Sequence, residues 1–161
     1  YEELPRALGR LNSDPSVEAQ AEASVTYNMI VEGVLAETGY HAYQRMLEEN
    51  GLMPGMQQAI GNLRRDESRH IAYGVFLLSR LVAEHGDTAW FAIDRRMSEL
   101  LPLSVESVRE VFDRYEVMPF GLEVVQFVDF ATKQFERRYA RIERARGQSL
   151  EDLFGQNDES L

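Results

Sequence analysis

Apolar residues recur at three- and four-residue intervals along almost the whole chain, and no alternating Val/Ile/Thr-rich stretch interrupts them. This pattern predicts an all-α protein. A short helix is predicted over 1–11, stopped by Asn12-Ser13-Asp14-Pro15, with Asp14 as N-cap and Pro15 at the first helical position. A long helix follows over 16–49; Asn50-Gly51 ends it, and Pro54 lies shortly beyond. The second long helix, 54–85, is closed by Gly86 and carries Ile60, Leu63, Ile71, Gly74, Val75 and Leu78 as its apolar stripe. A shorter helix is predicted over 88–101, where Pro102 breaks it, and Ser104 caps another through Tyr115. After Met118-Pro119-Phe120-Gly121 a last helix runs to Arg146. Lys133, Arg137, Arg138, Arg141, Arg144 and Arg146 crowd its second half, where cations suit the helix dipole. Residues 147–161 read as a polar, acidic tail expected to fray. Two long helices joined by a short Gly/Pro turn should lie antiparallel, which is half of a four-helix bundle.

Composition narrows the function classes. With 161 residues, 44% hydrophobic and 27% charged, the chain is expected to be one domain (1–161) with a real core. A formal charge of −10 argues against a nucleic-acid or anionic-membrane surface. The absence of cysteine excludes disulfides, thiolate metal sites and thiol catalysis. No apolar run approaches the ~20 residues of a membrane span, and a cytoplasmic location is expected. The chain opens at Tyr1 in helical character, with neither a methionine nor a signal-like segment, and reads as a piece of a longer polypeptide.

The candidate chemistry lies on the two long helices. Glu67 and His70, three apart in Arg65-Asp66-Glu67-Ser68-Arg69-His70, share one helix face with Leu63, Ile71, Gly74 and Val75. A carboxylate and an imidazole on an apolar stripe must be paired, hydrogen-bonded or metal-bound. Alone, Glu-x-x-His is a weak pattern. Glu32 strengthens it: the residues around it on its helix are Val25, Asn28, Met29, Leu35, Ala36 and Gly39, of which only Asn28 is polar. A buried Glu32 needs a partner, and the facing helix offers Glu67 and His70; the two readings are a metal site and a metal-free hydrogen-bond network. Gly33, Ala36 and Gly39 would let the helices approach closely. Tyr40 either lines a pocket there or packs in the core. Asp66 either orients a ligand from behind or is an exposed carboxylate. Phe120, Phe127, Phe130 and Phe135 could wall a tunnel or simply pack, while Glu48-Glu49 and Asp158-Glu159 read as solvated charges.

The run from Tyr27 to Tyr40, Tyr-x-x-x-x-Glu-Gly-Val-Leu-Ala-Glu-Thr-Gly-Tyr, followed by Asp66-Glu67-Ser68-Arg69-His70, resembles the ligand-binding oxidases of the ribonucleotide reductase small-subunit superfamily. The resemblance implies a ferritin-like helical bundle. It also implies a two-electron oxidase with a dinuclear Mn/Fe or Fe/Fe centre and a long-chain fatty acid bound in a tunnel against the metals. Carried over by position, Glu32, Glu67 and His70 become metal ligands, with Glu67 as a bridge. Tyr27 matches the tyrosine that such oxidases join by an ether link to a valine. A complete site needs four carboxylates and two histidines, and this chain offers half of that set. The chain is therefore expected to be the C-terminal half of the bundle, completed by an N-terminal half that brings the remaining ligands and the valine. A symmetric dimer of half-sites is the other way to reach six ligands, and a homodimer is the expected assembly. Two other functions compete: a radical-generating small subunit of ribonucleotide reductase, and a ferroxidase or structural bundle. The first would dock through a C-terminal tail, yet residues 156–161 lack aromatic anchors.

Tyr27 and Glu32 pose a geometric problem. Five residues on an ideal α-helix amount to a net rotation of about 140°, so the two should not face one point. The spacing predicts a non-α, π-type segment between Tyr27 and Gly39, where Gly33 and Gly39 lower the resistance to distortion.

Overall fold

A computed structural model describes residues 2–153. Its helices are α1 (Glu3–Arg10), α2 (Val17–Ser24), a π-helical segment (Val25–Ala36), α3 (Glu37–Glu49), α4 (Pro54–His85), α5 (Asp87–Asp113) and α6 (Val124–Arg144). Single 3-10 turns occupy Pro119–Gly121 and Ala145–Gly147. No strand occurs among the described residues. The fold is ferritin-like and all-α, and no helix among the described residues is long and apolar enough to cross a membrane.

α2, the π segment and α3 run on as one long rod, paired with α4. Contacts between the two fall in reversed order along the chain: Leu47 with Gln57, Gln44 with Arg64, and Asn28 with His70. The rods are thus antiparallel. The turn between them is built from Asn50 and Gly51. The Leu52 amide reaches back to Leu47 O (2.9 Å) and the Gly51 amide to Glu48 O (3.2 Å), a Schellman closure with Gly51 at φ +62°. At the far end Gly86, at φ +59°, is the sole residue between α4 and α5. α5 and α6 pack against the π segment and α4. Between them lies a core that includes Val25, Met29, Val34, Leu78, Val82, Trp90, Ile93, Met97 and Ile142.

Four expectations are corrected. Ser16, not Asp14, caps the long rod: Ser16 Oγ accepts from the Ala19 amide (3.2 Å). Asp14 instead accepts from the Ser16 amide (3.0 Å) and pairs with Arg10, contacts that hold its carboxyl down at about 2. Pro102 does not break α5. It is exposed, so the lost amide falls on the solvent side, and Ser104 Oγ bonds Leu100 O (2.8 Å) within the same stretch. Leu63 is not part of the buried stripe but is 46% exposed. The tail does not fray at its start: Ser149 and Asp152 bond each other reciprocally, and Leu153 packs against the core. The remainder, with Asp158, Glu159 and the 156–161 end, lies outside the described residues, as does Tyr1.

Candidate metal centre

The long rod leaves α geometry where its candidate ligand sits. From Val25 to Ala36 the hydrogen bonding is π-helical, and at its end the Glu37 amide reaches Glu32 O, five residues back. The non-α segment expected from the Tyr27–Glu32 spacing is therefore present, and it begins two residues before Tyr27. Glu32 is buried. Its Oε2 accepts a 3.0 Å hydrogen bond from Asn28 Nδ2, and Asn28 Oδ1 in turn accepts from Ser24 Oγ (3.0 Å). Asn28 Nδ2 also lies 3.4 Å from His70 O, so one amide ties the rod to α4. This is possible because Gly74 has no side chain: a Cβ there would meet Asn28 Cβ at 2.3 Å.

α4 brings Glu67 and His70 to the same place. His70 Nδ1 lies 3.2 Å from Glu32 Oε1 and 3.7 Å from Glu67 Oε2. One ligand atom from each of the three residues falls within 4.8 Å of the others. Their side chains grade from buried to open, at 6% exposed for Glu32, 22% for Glu67 and 57% for His70. Glu67 Oε2 is buried and has no hydrogen-bond partner. A carboxylate oxygen left this way costs free energy that a cation would offset. Two carboxylates and one imidazole are a donor set suited to manganese or iron, and the residues present fit such an ion. The Tyr27 phenol faces the same group. The adjacent Glu32 carboxylate, then burial and Glu67, hold its pKa above the usual value.

No protein-family model matches the chain. Among solved structures it is similar to an R2-like ligand-binding oxidase from Sulfolobus acidocaldarius, with 33% identity and a TM-score of 0.82. That match covers 95% of this chain and 50% of the oxidase. An R2-like ligand-binding oxidase variant with an aerobically reconstituted Mn/Fe cofactor is 35% identical (TM-score 0.79), over 88% of this chain and 54% of that one. One without metal cofactor is 36% identical (TM-score 0.78), over the same shares. In sequence and fold this chain is similar to about half of an R2-like ligand-binding oxidase. It spans about half the length of the R2-like oxidases it matches.

Within the share of the R2-like fold present here, the other singled-out residues fall differently. Tyr40 is half-buried and lines a groove of about 330 Å³ that also touches Glu67, Glu37, Arg64 and Ile71. Asp66 is turned to solvent and paired with Arg69 (3.2 Å). Phe127 and Phe135 are buried, Phe130 stacks on His41, and Phe120 is exposed. Burial, with Arg64 and Arg45 nearby, lowers the pKa of His41. Sequence reasoning noted Asn28 only as a polar neighbour and missed Ser24 and Arg138. Arg138 donates to Gly33 O and to Glu37 Oε2, beside the site, although its sequence context read as a helix-dipole cation. The signal for Ser24 is the series Ser24, Asn28 and Glu32, each four residues from the next. For Arg138 there was none, because its partners are on another helix.

Proposed function

We propose that this chain supplies one half of a dinuclear Mn/Fe or Fe/Fe centre in an oxygen-activating oxidase. Glu32, Glu67 and His70 would hold it, with Glu67, as the resemblance implies, shared between the two ions. The observation that carries this reading is the buried, unpartnered Glu67 Oε2 within ligand distance of Glu32 and His70. When bound, the metal pair supplies the redox chemistry that lets dioxygen act as a two-electron oxidant. The chain's residues prepare the site. The Ser24–Asn28 relay leaves Glu32 Oε1 turned toward His70, and the His70 ring stays open on the side where further ligands would arrive. Those ligands come, in this reading, from the N-terminal half of the same bundle, of which this chain is the C-terminal portion.

The finer assignments rest on the resemblance and on local chemistry. A long-chain fatty acid places its carboxylate at the metals and its tail among apolar side chains, where the groove by Tyr40 and Ile71 touches Glu67. Tyr27, held against Glu32, is the tyrosine that forms an ether with a valine Cβ. The hydroxyl hydrogen and the valine Cβ hydrogen are lost in that step, and dioxygen takes up both electrons. Elemental analysis and anomalous scattering of the full-length protein test the reading. Manganese and iron bound at Glu32, Glu67 and His70, and lost in Glu67→Gln, support it. A full-length protein that binds neither ion would overturn it.

A further inference from the structure

A π-helical stretch as long as Val25–Ala36 needs an outside restraint, because i→i+5 turns normally occur singly inside α-helices. One end of the stretch is tied by Arg96, whose buried Nε donates to Thr26 Oγ1 (3.1 Å) while that hydroxyl bonds Glu22 O (2.6 Å). The other end is tied from α6. Arg138 Nη1 donates to Gly33 O and Nη2 to Glu37 Oε2, so one guanidinium joins the residue after Glu32 to the first residue of α3.

The position matters. The Glu37 amide is shared between Glu32 O, five back, and Val34 O, three back, and α3 then resumes four-residue bonding. A switch from five to four passes over one carbonyl, and Gly33 O is the next in line. Gly33 is also the residue that admits the guanidinium: a Cβ there would stand 2.8 Å from Arg138 Nη1 and 2.9 Å from Asn28 O. The Arg138 side chain is 14% exposed and Glu37 is 21%, so the pair is largely shielded from water. A planar fork with donors on two nitrogens fits this double acceptor; a lysine ammonium, a single point, cannot span both ends.

We propose that Arg138 is a positioning residue that holds the π register of the long rod, and through it keeps Glu32 and Tyr27 on one face. Without it the skipped carbonyl loses its donor, the segment relaxes toward α bonding, and the two side chains turn apart. The metal readout of this proposal rests on Glu32, Glu67 and His70 being ligands; the backbone readout does not.

The test uses the full-length protein with Arg138→Met, Arg138→Lys and, as control, Arg137→Met, which removes a neighbouring exposed arginine of the same charge. In metal-free protein, hydrogen exchange of the amides at 34–38 should quicken by about tenfold or more in both Arg138 variants and stay parental in Arg137→Met. Mn²⁺ titration should show affinity lowered by about 10- to 100-fold in the Arg138 variants, the range for residues that orient ligands from behind. Should Arg138→Met fail to fold, Arg138→Lys carries both measurements. Parental exchange and parental affinity in a folded Arg138 variant would overturn the proposal, as would equal losses in Arg137→Met. A parental protein that binds no Mn²⁺ would instead sink the metal reading, and the exchange data would still decide the role of Arg138.

Discussion

Asn28 occupies the space that a side chain at position 74 would need: a Cβ on Gly74 would sit 2.3 Å from Asn28 Cβ and 2.7 Å from its Cγ. The long rod and α4 therefore approach as closely as they do only through a glycine. Asn28 uses that closeness to hold Glu32 Oε2 and to touch His70 O. Gly74→Ala adds about 1 kcal/mol of intrinsic helix propensity, but overpacking of about 1–3 kcal/mol opposes it. The expected outcome is a net loss of stability in urea unfolding together with weaker Mn²⁺ binding. A variant with raised stability and parental metal affinity would show that the contact is slack.

Glu67 should act against the stability of the metal-free protein. Its Oε2 is buried without a hydrogen-bond partner, so a side chain of similar size and no charge removes a penalty of about 1–3 kcal/mol. Glu67→Met is expected to raise the melting temperature of metal-free protein while abolishing metal uptake. His70→Ala takes away the 3.2 Å partner of the buried Glu32 Oε1, so it should abolish uptake and also lower the melting temperature of metal-free protein. Calorimetry with and without Mn²⁺ measures both. A lowered melting temperature in metal-free Glu67→Met would mean that the carboxylate is satisfied in solution.

Much of this arrangement is legible in the residues. Glu32 stands in the most apolar stretch of its helix, and Glu67 and His70 share a face by their spacing; burial of charge is costly enough to make the two helices meet there. The five-residue step from Tyr27 to Glu32 was a second legible feature, since only a widened turn lets both face one cavity. What could not be read depends on contacts from elsewhere in the fold. Arg138 finds its acceptors on another helix, so its sequence neighbours say nothing of them. Pro102 reads as a breaker, yet its ring is on the solvent side, where a lost amide costs little. Leu63 fits the stripe by count but lies on the open side of α4, with His70 one heptad further on.

Tyr139 links α6 to α5 through a 2.6 Å hydrogen bond to Asp94 Oδ1. Burial, then that bond, pushes the phenol up to about 12 from an ordinary 10.0. A raised pKa in the folded state favours the protonated form. Its contribution is thus fully present below pH 10.0 and is lost as the pH climbs toward about 12. Tyr139→Phe should cost about 1–2 kcal/mol at pH 8. The gap between variant and parent should narrow at pH 11. Denaturant unfolding at the two values measures it, and a gap that does not change with pH would assign the whole effect to packing.

The face of α4 that carries His70 is apolar as well as open. Leu63, seven residues before His70, and Tyr73, three after it, lie on that face at 46% and 60% exposure, and Tyr27 of the facing rod is 39% exposed. Exposed apolar groups clustered around the Glu32, Glu67 and His70 group mark a surface that another element covers. The chain also spans only about half of its oxidase relatives. The 161-residue chain alone should therefore self-associate in sedimentation velocity as its concentration rises. Leu63→Lys with Tyr73→Lys should suppress that association without unfolding the chain, because neither residue is in its core. In a protein that carries the proposed N-terminal half, the same pair should lower both stability and metal content, because that half would pack on the two positions. An isolated chain that sediments as a monomer at all concentrations while holding a full metal complement would refute the covered-face reading, because the three ligands would then need nothing beyond this half.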